Sequence, residues 1–184
     1  MKILQGLLFI ILFAGCNEEA ALSKAKYFSL PDFFKKESAS LRNNKSSLIK
    51  KVNYDGKEEM MQIESPVWED ELRPFLDCDI NKPAYVGAYT VDTAVTDGAY
   101  VVYYKAKEPK MPIRLVSLKF INDMLVSVYA ETGKSNAWFQ LRQEMTYTPH
   151  EGYRIKGEQK MALGKETTFT IAGSILPATT TATR

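Results

Sequence analysis

Histidine occurs once in this 184-residue chain and cysteine twice, which leaves a histidine-based zinc site and a disulfide mini-protein without material. With only 10 Gly and 8 Pro, collagen and extended low-complexity disorder are excluded as well. Charge of one sign is also scarce: 24 basic against 22 acidic residues give +2, with no electrostatic case for nucleic acid. No second long apolar run follows the N-terminal one, so a polytopic membrane protein is ruled out. What remains is 45% hydrophobic and 11% aromatic, enough for one cored domain, placed at residues 27–176.

The N-terminus carries the most specific signal. Met1-Lys2 is followed by eight uninterrupted apolar residues, Leu7 to Ala14, which span about 12 Å as a helix and fall well short of a bilayer core. A positive start, a short apolar stretch and small residues form a secretory signal segment, residues 1–15. The stretch Leu12-Phe13-Ala14-Gly15-Cys16 then resembles the lipobox of bacterial lipoproteins, with Phe13 where that family most often has leucine. The resemblance covers about a tenth of the chain. It implies acylation of Cys16, cleavage just before it, and a mature N-terminus held on the membrane by lipid. Asn17, in place of the aspartate that resembles an inner-membrane retention signal, points to the outer membrane; the leaflet stays open. Residues 16–26 then serve as lipidated cysteine and tether. With Cys16 acylated, Cys78 has no partner and is expected as a buried thiol.

Beyond the tether, Ser29-Leu30-Pro31 has the form of a helix start, predicting a helix over 31–42. Asp55-Gly56 between two strand-like runs predicts a hairpin over 47–63. Trp68, Leu72, Phe75 and Leu76 make the apolar stripe of a second helix, kinked or shortened by Pro74. From Tyr85 the chain turns to strands: 85–92, 100–107, 113–121, 125–132, 138–147, 153–161 and 167–175, separated by short turns. The expected fold is therefore α+β: short N-terminal helices and a hairpin packed on a curved antiparallel meander of about seven strands, with a half-open or closed β-barrel as the alternative. The Thr-rich end, 177–184, is expected as a disordered tail.

Catalytic signals are weak. His150 lies in Thr148-Pro149-His150-Glu151-Gly152, a turn by composition, and no Gly-x-Ser-x-Gly elbow is present. Asp77-Cys78-Asp79-Ile80-Asn81 begins like an EF-hand loop but has Lys82 where glycine is required and Ala88 where the bidentate glutamate belongs. Glu69-Asp70-Glu71 has the paired carboxylates of a glycosidase, yet its place in a helix's first turn explains those acids. No cofactor, metal or enzyme activity is expected.

Two surfaces remain as contact candidates. Arg142, Arg154 and Lys156 form a basic-leaning stripe, with Lys160, interleaved with Glu144 and Glu158. Tyr100, Tyr103, Tyr104 and Trp138 belong to an aromatic set suited either to core packing or to a groove for a lipid, peptide or partner protein. The expected function is that of an outer-membrane lipoprotein serving as a non-enzymatic binding or scaffold subunit of an envelope assembly. The alternative is a carrier or sensor of a hydrophobic ligand. Helices with a curved antiparallel sheet are similar to the lipoprotein-carrier architecture of the periplasm, at the level of fold alone.

Overall fold

The computed structural model describes residues 26–178. The signal segment, Cys16, all of the tether but its last residue, and most of the C-terminal tail lie outside that range. Helix α1 spans Leu30–Asn43, with the Ser29 hydroxyl accepting from the Asp32 N–H and Pro31 in the first turn. Its buried residues Leu30, Phe34, Ser38 and Leu41 recur at helical spacing and define one face. The second predicted helix is two single turns, α2 (Trp68–Glu71) and α3 (Arg73–Leu76). Leu72 breaks them apart because Pro74 cannot donate into a continuous ladder.

Among the described residues nine strands form a single antiparallel sheet: β1 Ser47–Tyr54, β2 Lys57–Ile63, β3 Tyr89–Thr96, β4 Ala99–Ala106, β5 Ile113–Ile121, β6 Met124–Ser135, β7 Phe139–Thr148, β8 Gly152–Met161 and β9 Glu166–Leu176. Their spatial order is β2-β1-β9-β8-β7-β6-β5-β4-β3. The expectation of about seven strands is corrected here. The seven-strand meander exists as β3 to β9, but the hairpin does not pack on it: β1 pairs along its whole length with β9, from Ser47↔Leu176 to Tyr54↔Phe169. The sheet is open, with β2 and β3 as its edges, so the closed-barrel alternative is not realised. The first predicted strand also starts late. Pro83–Tyr85 forms a 3-10 turn and Gly87 takes φ +73°, so pairing begins at Tyr89.

All three helices lie on one sheet face, here called inner. Register places Leu48, Tyr104, Val116, Leu118, Val128, Met145, Tyr147, Tyr153 and Ile155 on it, all buried. Phe34 stacks on Phe75 at 5.1 Å and meets Tyr147 edge-on at 5.1 Å, so rings from α1, α3 and β7 form the centre of the core. Fully buried Trp68, Phe34, Leu72 and Phe75 contribute about 1.5–3 kcal/mol each by leaving water. Glycines make room for rings on the same face. A Cβ at Gly157 would stand 2.1 Å from the Phe169 ring, and one at Gly173 would stand 2.3 Å from Tyr153.

Candidate functional site

The helix layer is tied to the sheet through carboxylates. Glu71 of α2 accepts from Lys50 Nζ of β1 at 2.8 Å and from the Tyr153 hydroxyl of β8. Glu69 pairs with Arg42, and Asp70 with Arg73 at 2.7 Å. The three acids of Glu69-Asp70-Glu71 therefore each hold a specific cation, a closer account than the dipole of a one-turn helix. Burial, reinforced by Glu71, pushes the Tyr153 phenol above its ordinary range; burial and Glu37 do the same for Tyr147.

Asp79 and Asn81, the would-be calcium loop, fasten the entry of the domain instead. Asp79 Oδ1 accepts the Asn81 N–H at 2.9 Å, and Asn81 Oδ1 accepts the Tyr27 N–H at 2.9 Å. Asn81 Nδ2 donates to the Tyr27 and Phe28 carbonyls. Cys78 is buried and donates its thiol to the Pro74 carbonyl at 3.3 Å. Burial, then the charge of Asp77, pushes that thiol up to about 12. His150 is an exposed turn residue at φ +65°. Among the described residues no group of three or more His, Cys, Asp or Glu is placed to hold a metal ion. Among them, too, no helix is long and apolar enough to cross a membrane.

The aromatic candidates are not brought together. Tyr100 and Tyr104 face inward with Val102, whereas Tyr103 faces outward with Val101, the period-two consequence of sharing a strand. Tyr104 is buried edge-on against Tyr27 at 5.5 Å, and its hydroxyl accepts the Phe28 N–H. Tyr100 stacks on Phe120 at 4.8 Å and donates to Asp123 Oδ1 at 3.2 Å. Trp138 sits in the β6–β7 connection, 70% exposed. Core packing accounts for Tyr104 and strand packing for Tyr100, while Trp138 lies apart in its turn.

The basic stripe does lie together on the outer face, but register interleaves it with acids. Arg142 stands opposite Glu158, Lys156 opposite Glu144 and Arg154 opposite Thr146, with Lys160 opposite both Gln140 and Glu166. Four bases against Glu144, Glu158 and Glu166 leave little net potential. A shallow cleft of about 540 Å³ runs between Arg142, Lys156 and Thr170.

Two features escape the sequence reading. The first is edge strand β3, Tyr-Thr-Val-Asp-Thr-Ala-Val-Thr, exposed at every residue but Tyr89 and holding a single charge, Asp92. The Lys107 N–H donates to the Ala88 carbonyl, so by alternation Thr90, Asp92, Ala94 and Thr96 bond to β4. The backbone groups of Val91, Thr93 and Val95 point off the sheet. The second is an outer-face cleft of about 730 Å³ bounded by Tyr103, Lys105, Arg114 and Glu131. A signal for it exists: the alternation Val116, Leu118, Phe120 runs backwards onto Arg114, which would bury a charge unless a bulge intervened. No family model, no curated protein and no solved structure matches the chain.

Proposed function

We propose that the protein is an outer-membrane lipoprotein, anchored through Cys16, that serves as a non-enzymatic docking subunit of an envelope assembly and receives a partner's strand on β3. The observation that carries this reading is the chemistry of that edge. Natural sheets blunt their edges with charge, proline, bulges or short strands. The opposite edge, β2, follows the rule with Lys57, Glu58 and Glu59. Strand β3 has eight residues, β-branched at five positions, with one charge and no proline. An extended segment added there gains main-chain hydrogen bonds from Val91, Thr93 and Val95, while the exposed side chains of Val91 and Val95 select its inner-face residues. The anchor allows it: ten residue steps from Cys16 to Lys26 reach at most roughly 35 Å, so the domain stays within one protein diameter of the bilayer.

The carrier reading draws on a different feature, exposed apolar side chains at the end of the sheet that holds the β1–β2, β6–β7 and β8–β9 turns: Tyr54, Trp138, Met161 and Leu163. These lie on an open surface, whereas a carrier of a hydrophobic ligand needs an enclosed one.

Thr93→Pro tests the docking reading. It deletes one outward N–H and no ladder bond, so the domain keeps its fold while strand addition is blocked. A photo-crosslinker at Ala94 should give one discrete adduct in intact cells and lose it when Thr93→Pro is added. An adduct that survives Thr93→Pro, in a domain with unchanged thermal stability, would refute the strand-addition site. Palmitate labelling tests the anchor, and label persisting in Cys16→Ala would refute it.

A further inference from the structure

Among the described residues two side-chain atoms are buried without a hydrogen-bond partner, the Ser38 hydroxyl and Nε of Arg114. The second is the more expensive, because an orphaned N–H on a charged group forfeits more than a neutral one. Arg114 is the extra residue of a β-bulge: the β5–β6 register slips between Ile113↔Thr132 and Leu115↔Glu131. Bulges re-aim side chains, and this one turns Arg114 away from the core and across the outer face. Its guanidinium lies over Gly133, where a Cβ would stand 2.7 Å from Nη2 and 2.9 Å from Nε.

The group so placed borders the 730 Å³ cleft together with Lys105 and Lys107. Asp92, Glu108 and Glu131 line the same cleft. None of these six charged groups belongs to the five ion pairs of the described residues. Glu131, the acid on the strand beside Arg114, accepts at Oε1 from the Tyr129 hydroxyl at 2.8 Å. The arginine fork thus lies over Gly133, shares the cleft with two lysines, and makes no hydrogen bond or ion pair at Nε among the described residues.

We propose that this cleft is a binding site for a small organic anion whose carboxylate or phosphate is held by Arg114, Lys105 and Lys107, with Tyr103 along its wall. A guanidinium fork matches the paired oxygens of either group. The three acids balance the three bases, so the rest of the ligand carries hydrogen-bond donors, hydroxyls or an ammonium. The cleft shares the outward side chain of Asp92 with β3 but uses none of that strand's free backbone groups, so the two proposals are tested separately.

The test is a titration of the full mature chain (residues 16–184, Cys16→Ser) followed at arginine Nε–H resonances. The Arg114 signal is identified by its loss in Arg114→Lys. Inorganic phosphate and acetate are added separately, against sodium chloride at matched ionic strength. The expected result is a saturable shift of the Arg114 resonance while that of Arg142, on the exposed stripe, stays still. A response to phosphate alone or to acetate alone identifies the group recognised. Gly133→Ala crowds the guanidinium out of position without removing it. It should weaken binding by about tenfold, the loss of one good charge-assisted contact, with the backbone spectrum otherwise retained. A shift that chloride reproduces, no shift in the folded wild type, or unchanged binding in Gly133→Ala would overturn the proposal. The wild-type titration and Gly133→Ala stand even if Arg114→Lys fails to fold.

Discussion

Glu71→Gln is the substitution that most directly tests how the helix layer is held on the sheet. The carboxylate is 14% exposed and Lys50 is 25% exposed, so their 2.8 Å pair is only partly solvated. The amide keeps the shape of the side chain and can still accept from the Tyr153 hydroxyl. What it removes is the negative charge facing Lys50, leaving a half-buried ammonium without a counterion. Charge-assisted hydrogen bonds contribute about 1.5–3 kcal/mol, and stranding one partner of a fully buried pair costs about 3–5 kcal/mol. With a quarter of the lysine in water, the expected loss is about 2–3 kcal/mol. For a domain of this size that lowers Tm by roughly 5–10 °C. Lys50→Met removes the other charge, so the double variant should be less damaged than the sum of the two, with a coupling of about 1–2 kcal/mol. Urea unfolding of the four proteins under identical salt gives the single costs and the coupling, and thermal unfolding gives the Tm shift. A Glu71→Gln cost below about 0.5 kcal/mol, together with an additive cycle, would refute the pair as a tie between layers.

Other consequences can be checked in the same assay. Gly152 sits at φ +139° with a would-be Cβ 1.8 Å from the Gly173 carbonyl oxygen, so Gly152→Ala must move backbone and should cost about 2–4 kcal/mol. Gly133→Ala meets only the end of a flexible side chain and should stay within about 0.5 kcal/mol. Ser38→Ala removes a buried hydroxyl that has no partner and should be neutral or stabilising by up to about 1 kcal/mol. The Cys78 thiol, ordinarily near 9.0 and here about 12, keeps its proton in the folded state where the unfolded chain has lost it. Stability should therefore fall as pH rises from about 9 to 12, with a slope from this group approaching 1.4 kcal/mol per unit; Cys78→Ala should flatten it.

The elements written in local chemistry were legible. Ser29 and Pro31 gave the start of α1 to within a residue, Asp55-Gly56 gave the hairpin, and the split near Pro74 followed from its missing N–H. The grouping of Tyr100, Tyr103 and Tyr104 with Trp138 as one groove was not realised, because period two sends Tyr103 to the face opposite Tyr100 and Tyr104. The pairing of β1 with β9 was not legible. Strand sequences carry alternation but no address, and Ser47 and Leu176 are far apart along the chain. The bulge at Arg114 was hidden for a related reason. One inserted residue shows only as a broken alternation, which an apolar run such as Leu115-Val116 masks. The unprotected edge emerged only from the strand order, since a strand reads the same at the centre of a sheet as at its margin.

The union of β1 with β9 also imposes a schedule. The hairpin is among the first parts of the domain to be made, yet its partner is the last strand, ending at Leu176. Until that strand has been synthesised and delivered, Lys50 to Tyr54 offer a second free margin, and β8 exposes its own. Long-range closure of this kind is slow, and half-finished sheets aggregate. A nascent chain stalled before residue 166 would carry every helix and eight of the nine strands of the described residues and still be unfinished, so the eleven residues of β9 set the moment at which this protein becomes safe to release.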